Sequence, residues 1–300
     1  MLKELKELMP NFKDGFFTTS DGIEIHYLEG GSGEPLILTS GWPTSPCIFA
    51  YNLPEISKHY HVIAIENRGT GESGKPTHGY RVSRLSKDVY DMMQALGLKK
   101  AHFMGHSMGC ATLWGFIDLF GQDMIDKLIL VDQAPWLWSD IGENDESMEL
   151  HCGHRGNPYG LYDAFKVSWE EGFKAFAAPE YWPTSASSLA ESRPQGNHVM
   201  ELEEIYRSRI EYPREPLARL VTNHYMTDWR DIVSIITVPT LIITGENTHA
   251  MNSASAAWMN NAIKGSELVV FTKEEYGNHI MMANSPEKFN RVVLDFMLKK

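Results

Sequence analysis

One short stretch constrains the fold of this chain more than any other. Residues 105–109 read Gly-His-Ser-Met-Gly, a G-x-S-x-G pattern that follows an apolar, strand-like segment at 100–104. The next segment, 110–120, is typical of a helix that ends at Gly121. A serine on such a sharp strand-to-helix turn stands clear of the sheet, and only small neighbours, here Gly105 and Gly109, fit around it. The pattern therefore predicts that Ser107 is a nucleophile.

Strand and helix signals alternate on both sides of this stretch. Buried strands are predicted at 35–39, 61–65, 127–131, 240–245 and 268–271, with a short hairpin at 16–19 and 23–28. Helices are predicted at 82–96, 254–263 and 285–297. This alternation indicates an α/β fold with a parallel sheet covered by helices on both faces.

The alternation is interrupted by a long segment in the second half of the chain. Residues 136–227 carry no strand signal, and they are too long and too rich in aromatic side chains for a loop. We interpret them as a helical cap above the carboxyl edge of the sheet, where ligands of open α/β sheets bind. The predicted division is a core of residues 1–135 and 228–300 and a cap of residues 136–227.

Composition and charge favour a cytoplasmic protein. The 27 basic and 39 acidic residues give a net charge of −12 without a basic block, which argues against nucleic acids and anionic membranes as partners. Three widely spaced cysteines do not form a disulfide framework. Residues 1–9 carry apolar side chains at helical spacing with charged ones between them and have no continuous apolar run. This pattern predicts a short amphipathic helix rather than a signal peptide or a membrane span.

A serine hydroxyl becomes a nucleophile only beside a base that a third group orients. In this architecture the acid and then the base follow the serine along the chain. His279, in the loop after the last predicted strand, is the expected base. The loop after 240–245 offers no aspartate, whereas Asp132 directly follows the strand 127–131. Because neighbouring parallel strands lie about 5 Å apart, Asp132 is the predicted acid and Glu246 remains the alternative.

The oxyanion hole needs two N–H donors that point at the developing alkoxide. Met108, directly after the nucleophile, supplies one N–H, and Trp42 in the loop after 35–39 supplies the other, since Pro43 has none. Gly41, His106, Trp136 and Ile280 are predicted to line the substrate pocket.

Three other segments invite functional readings that the residues do not support. The histidines and thiol at 151–154 lack a fourth ligand and paired spacing, so no metal site is predicted. The glycine-rich segment 67–74 lacks phosphate-loop spacing, and we interpret it as a structural turn at the mouth of the site. The acidic run 201–204 is interpreted as a solvated helix face. We expect no cofactor.

With these motifs in view, the chain resembles the α/β-hydrolase fold proteins over nearly its whole length. Residues 105–109 are similar to the family's nucleophile elbow and 67–73 to its loop after the fourth strand. Segments 228–231, 277–279 and 285–289 resemble a branch of small esterases, lactonases and cofactor-free haloperoxidases. The resemblance implies a mostly parallel, eight-stranded sheet flanked by helices, with the cap after strand 6. The family's commonest acid position, after strand 7, is not matched; certain dehalogenases and zearalenone-type lactonases place it after strand 6, as predicted for Asp132.

These residues and the resemblance predict a serine hydrolase of carboxylic esters or lactones that forms an acyl-enzyme on Ser107. The aromatic cap favours a bulky, largely apolar small molecule as its substrate. A proline-releasing aminopeptidase, a cofactor-free perhydrolase or haloperoxidase, and a slow-turnover ligand receptor remain alternatives. Epoxide hydrolase and dehalogenase chemistry is disfavoured, because the resembling relatives use an aspartate where this chain has Ser107. A homodimer is left open.

Overall fold

Eight strands form one sheet at the centre of the protein, whose computed structural model describes residues 3–137, 158–176, 192–248 and 250–299. The strands are β1 (Lys13–Thr18), β2 (Glu24–Gly30), β3 (Pro35–Thr39), β4 (His61–Ile65), β5 (Ala101–His106), β6 (Ile125–Val131), β7 (Thr240–Gly245) and β8 (Glu267–Phe271). Their order across the sheet is β1-β2-β4-β3-β5-β6-β7-β8. β2 runs antiparallel to both of its neighbours, and all pairs from β4 to β8 are parallel.

The central strands are apolar along their whole length because both faces of the sheet are covered. Successive side chains of a strand point to opposite faces. Accordingly, Phe103 and Leu130 belong to one hydrophobic core, whereas Met104 and Ile129 belong to the other. This double burial explains why the strands read as continuous apolar runs rather than as an alternating pattern.

Helices cover the two faces of the sheet. Those outside the segment between β6 and β7 include α1 (Lys3–Leu8), α2 (Leu53–Ile56), α3 (Val82–Ala95), α4 (Met108–Phe120), α10 (Ser253–Ala262), α11 (Met281–Asn284) and α12 (Pro286–Met297). A 3-10 helix, Pro46–Phe49, follows the loop after β3. Among the described residues, no helix has both the length and the apolar character needed to cross a membrane.

Among the described residues, five helices lie between β6 and β7. They are α5 (Pro158–Val167), α6 (Trp169–Phe176), α7 (Pro194–Arg209), α8 (Arg214–Met226) and the short α9 (Arg230–Ser234). α7 packs against the 3-10 helix and α11, and α8 packs against α5 and α3. The predicted fold class is confirmed, and the insertion after β6 is compatible with it. The domain division at 135/136 and 227/228 stays a prediction.

The glycine-rich segment 67–74 is a structural turn, but its position differs from the prediction. Arg68 is fully buried, and its guanidinium donates to Asp88 at 2.7 Å and to Asp21 at 3.0 Å. This network ties the turn to α3 and to the hairpin between β1 and β2. The segment was predicted to lie at the mouth of the site, but none of its residues is among the described residues that line the cavity beside Ser107.

Candidate active site

Ser107 lies on a tight turn between β5 and α4, with φ 54° and ψ −130°. The two flanking glycines permit this turn by close approach. A Cβ on Gly105 would lie 2.8 Å from the nitrogen of Cys110, and one on Gly109 would lie 2.2 Å from the carbonyl oxygen of Thr39. Both contacts are too short for any side chain, so the strand–turn–helix pattern of the sequence has the predicted physical cause.

The structure brings together two of the predicted site residues that lie 147 positions apart. Nδ1 of His279 is 2.6 Å from Oδ2 of Asp132. Asp132 directly follows β6, has φ 54° and is completely buried, and its main-chain N–H donates to Ile243 in β7 at 2.8 Å. The side chain is therefore held at the edge where β6 and β7 meet.

Two threonine hydroxyls from the neighbouring strand end also hold the Asp132 carboxylate. Thr244 Oγ1 donates to Oδ1 at 2.9 Å, and Thr248 Oγ1 donates to Oδ2. Sequence reasoning missed both hydroxyls, although they occupy the end of β7 and the loop where an acid was sought. Glu246, the alternative acid, is exposed and accepts from the main-chain N–H of Lys273 at 2.9 Å. Asp132 rather than Glu246 therefore contacts the imidazole.

His106 supports His279 from the nucleophile side. The two imidazole centroids are 4.6 Å apart, and Nε2–H of His106 donates to the carbonyl oxygen of His279 at 2.8 Å. Burial, together with the nearby His279, holds the pKa of His106 well below its usual range. A neutral His106 therefore fixes the main chain of the loop that carries His279.

The predicted oxyanion donors lie on two segments beside Ser107. Met108 is the first residue of α4, where main-chain N–H groups have no acceptor within the helix. The loop after β3 lies against the nucleophile: a Cβ on Gly41 would be 2.9 Å from Ser107 Cβ and 3.3 Å from Ser107 Oγ. Trp42, the next residue, directs its indole Nε1–H to the carbonyl oxygen of Leu217 in α8 at 2.8 Å.

These residues surround a cavity of about 600 Å³. Ser107, His279, Met108 and Trp42 line it, and so do the predicted pocket residues Gly41, His106 and Ile280. Trp136 is not among the described residues that line this cavity, where its neighbour Leu137 forms part of the wall. The ring of Trp136 instead packs against the guanidinium of Arg230, whose Cζ lies 3.7 Å from the centroid of the ring.

The segment after β6 contributes many lining residues that sequence reasoning did not name. Its apolar lining side chains include Leu137, Phe173, Met200, Val221 and Tyr225. Its charged ones are Glu201, Glu203, Glu204 and Arg207, all on α7. Nothing in the local pattern marks these positions, since their exposure depends on how the helices pack.

Glu203 departs from the solvated helix face predicted for residues 201–204. Its side chain is buried, and it accepts hydrogen bonds from the main-chain N–H of Ser45 at 2.9 Å and the thiol of Cys47 at 2.7 Å. Burial raises the pKa of Glu203 from 4.5 to about 7, against the hydrogen bonds, which lower it. Its neighbours Glu201 and Glu204 are exposed, as predicted. The rejected metal ligands at 151–154 lie outside the described residues.

The sheet order, the elbow after β5 and the histidine after β8 together define the α/β-hydrolase fold. The family model described as alpha/beta hydrolase fold matches residues 34–149. A non-heme chloroperoxidase of Kitasatospora aureofaciens is 25% identical over 288 residues, which cover 94% of this chain and 98% of that protein. The chain therefore has the α/β-hydrolase fold.

Solved structures agree with this assignment. A bromoperoxidase from Bacillus anthracis superposes with a TM-score of 0.79 at 22% identity, over 96% of this chain and 100% of that one. An esterase from Exiguobacterium antarcticum gives 0.77 at 24% identity, with the same coverage. Non-heme haloperoxidases, epoxide hydrolases, esterases and lactonases thus occur among the relatives and structural neighbours.

Proposed function

We propose that this protein is a serine hydrolase that cleaves carboxylic esters or lactones through an acyl-enzyme on Ser107. One observation carries the proposal: His279 and Asp132 are 2.6 Å apart beside the cavity that Ser107 lines. Acyl transfer by a serine requires a base that a carboxylate orients, and His279 lines the same cavity as Ser107.

In the first half of the proposed reaction, Ser107 Oγ attacks the substrate carbonyl and its proton passes to Nε2 of His279. The N–H groups of Met108 and Trp42 receive the alkoxide oxygen. When the tetrahedral intermediate collapses, the C–O bond of the ester breaks and His279 returns the proton to the leaving alkoxide. With a lactone the released hydroxyl stays attached to the acyl chain.

In the second half, water attacks the acyl-enzyme and His279 takes its proton, which then returns to Ser107 Oγ as the acid leaves. Asp132 keeps Nδ1–H of the imidazole directed away from the nucleophile throughout. The nucleophile, base, acid and oxyanion donors all come from the chain itself. The expected partner is therefore a small molecule, and the cytoplasm remains the expected location.

The cavity supports a bulky, largely apolar substrate. Its volume of about 600 Å³ lies within the range of small-molecule sites, which are mostly apolar with a few placed polar groups. Here Ile48, Leu137, Phe173 and Val221 supply apolar wall, and the polar lining groups lie beside Ser107 and on α7. Aryl esters and macrocyclic lactones match this distribution.

Labelling with a fluorophosphonate tests the nucleophile, and a panel of esters and lactones tests the substrate class. The wild type should be labelled and should turn over several panel members, whereas Ser107→Ala should do neither. A labelled protein that releases one equivalent of product and then stops would support the slow receptor instead. A Ser107→Ala variant that still hydrolyses esters at the wild-type rate would contradict the proposal.

The names of two compared proteins favour perhydrolysis as a second candidate activity. A chloroperoxidase and a bromoperoxidase align with this chain over more than nine-tenths of its length. On the same residues, hydrogen peroxide in place of water would attack the acyl-enzyme and release a peracid, which oxidises a halide ion. Halogenation of a dye that requires both peroxide and a carboxylic acid would support this activity.

The two exposed carboxylates among the described lining residues are consistent with the aminopeptidase alternative. Glu201 and Glu204 on α7 line the cavity and carry negative charge that attracts a free amine. Comparing p-nitrophenyl esters with proline p-nitroanilide separates the two activities. We expect the esters to have the larger kcat/KM, and a preference for the anilide would favour the aminopeptidase.

A further inference from the structure

The loop after β3, residues 40–45, is hydrogen-bonded to two helices of the segment between β6 and β7. Nε1–H of Trp42 donates to Leu217 O in α8 at 2.8 Å. Three residues later, the main-chain N–H and the hydroxyl of Ser45 donate to the carboxylate of Glu203 in α7. The loop that carries Gly41 and Trp42 is therefore anchored on both sides of Pro43.

The Glu203 carboxylate is committed to this loop and to the 3-10 helix that follows it. Oε1 accepts from Ser45 N at 2.9 Å, from Ser45 Oγ at 3.0 Å and from Cys47 Sγ at 2.7 Å, and Oε2 accepts from Ser45 N at 3.1 Å. A carboxylate that is only 4% exposed is costly to bury without such partners. All the hydrogen bonds found for it among the described residues reach positions 45 and 47.

A small displacement of this loop would change the distances at the nucleophile. Gly41 lies so near Ser107 that a Cβ on it would be 2.9 Å from Ser107 Cβ. The next main-chain N–H, of Trp42, is the proposed oxyanion donor. Such a donor works only when it lies 2.7–3.1 Å from the oxyanion position and is already in place before the reaction. The groups that hold residues 40–45 in place therefore act on the transition state more than on the bound substrate.

Resting on the proposed function, we propose that Glu203 is a positioning residue of the oxyanion hole. Its carboxylate fixes the main chain at Ser45. Through this part of the loop it keeps the N–H of Trp42 within hydrogen-bond distance of the oxygen of the tetrahedral intermediate. α7 also presents Asn197, Met200 and Arg207 to the cavity. A substrate that packs on this face of α7 thus contacts the same helix that holds the loop.

Two readouts separate positioning from a merely structural role. A trifluoromethyl ketone forms a tetrahedral adduct with Ser107 whose oxygen occupies the oxyanion hole, so its Ki reports the donors directly. Glu203→Leu should lower kcat for a p-nitrophenyl ester and raise this Ki by a similar factor. We expect about ten- to a hundredfold for each, because the displaced N–H of Trp42 would lose part of its contribution to the oxyanion hole. KM should change less than about threefold, because ground-state contacts remain.

Glu203→Gln keeps an oxygen acceptor for Ser45 and should recover most of the activity lost in Glu203→Leu. Ser45→Ala removes the hydroxyl that donates to Glu203 at 3.0 Å and accepts from Cys47 N at 3.2 Å. Because the main-chain N–H of Ser45 still donates to Glu203, the variant should show a smaller effect of the same kind, and it provides a second test if Glu203→Leu does not fold. Glu171→Leu, an exposed glutamate on α6, is the matched control and should keep wild-type kcat and Ki.

Folded Glu203 variants with unchanged kcat and Ki, or with a change confined to KM, would overturn the positioning role while leaving the proposed function intact. A wild type that neither hydrolyses esters nor binds the ketone would overturn both.

Discussion

At the scale of single residues, Asp132 carries the most specific assignment. Its position was predictable from the sequence, because a residue directly after β6 must lie beside the end of β7. What the sequence did not provide is the set of donors around the carboxylate. Thr244 and Thr248 reach it across the strand boundary, and a threonine hydroxyl has too many roles for its position alone to predict one.

Asp132→Asn should lower kcat by about four orders of magnitude, because an amide at this position favours the wrong imidazole tautomer. The measurement is kcat for a p-nitrophenyl ester, with circular dichroism to confirm folding. Glu246→Gln should remain near the wild type, since Glu246 contacts Lys273 rather than His279. A large loss of kcat in Glu246→Gln, together with a wild-type kcat in Asp132→Asn, would reverse the assignment.

Thr248→Val should lower kcat about tenfold, because it removes a hydrogen bond to the Asp132 carboxylate. KM should change less than kcat, since Thr248 does not itself line the cavity, although its hydroxyl also accepts from the N–H of the lining residue Ala250 at 3.2 Å. Thr248→Ser, which keeps the hydroxyl, should restore kcat. Thr227→Val is the comparison, since its hydroxyl donates to Asn223 O at the surface. Equal rates for Thr248→Val and the wild type would show that the hydroxyl does not orient Asp132.

At the scale of elements, the turn from β5 to α4 depends on two close approaches of main chain. The sequence predicted this turn from Gly105 and Gly109, because no larger residue fits there. It also located the central strands to within about two residues, since doubly buried strands are apolar throughout. The hairpin was less well predicted: β1 begins at Lys13, before the segment expected at 16–19. Half-exposed strands give a weaker signal than buried ones.

Gly109→Ala should destabilise the protein by about 2 to 3 kcal/mol and should lower kcat sharply in the molecules that fold. The new methyl group would lie 2.2 Å from the carbonyl oxygen of Thr39, so β3 and the elbow must move apart. Urea unfolding and kcat measure the two effects. Gly97→Ala, which meets no atom within 4 Å, should keep the wild-type kcat despite its left-handed backbone. Wild-type stability and kcat in Gly109→Ala would contradict the close-packing account.

At the scale of the whole molecule, the sequence predicted the fold and named the candidate catalytic residues that line one cavity with Ser107, but it did not predict most of the cavity wall. The fold and the candidate residues follow from local patterns and chain order. The lining residues of α7 and α8 follow from how helices of an insertion pack on the core, which no short pattern records. Glu203 illustrates the difference, because the same acidic run contains exposed Glu201 and Glu204 and a buried Glu203.

The buried Glu203 should also make stability depend on pH. Its pKa rises from 4.5 to about 7 on folding, so between these pH values the unfolded chain releases a proton that the folded chain retains. Stability therefore falls as pH rises through this window, by roughly 3 kcal/mol in total, and the contribution is constant above it.

Glu203→Gln should lack this contribution, so its unfolding free energy should fall less between pH 5 and 7 than that of the wild type. Urea unfolding at several pH values measures the difference, with exposed Glu171→Gln as the control. Parallel pH profiles for the wild type and Glu203→Gln would show that Glu203 does not titrate in this window.

The most direct test of the central claim is to identify the atom that carries the acyl group. The wild type is mixed with a p-nitrophenyl ester, quenched in acid within the first turnover, and mapped by peptide mass spectrometry. The account predicts an acyl adduct on Ser107 that forms before the steady state and is absent from Ser107→Ala. Ester turnover with no adduct on Ser107, or with the acyl group on another residue, would contradict it.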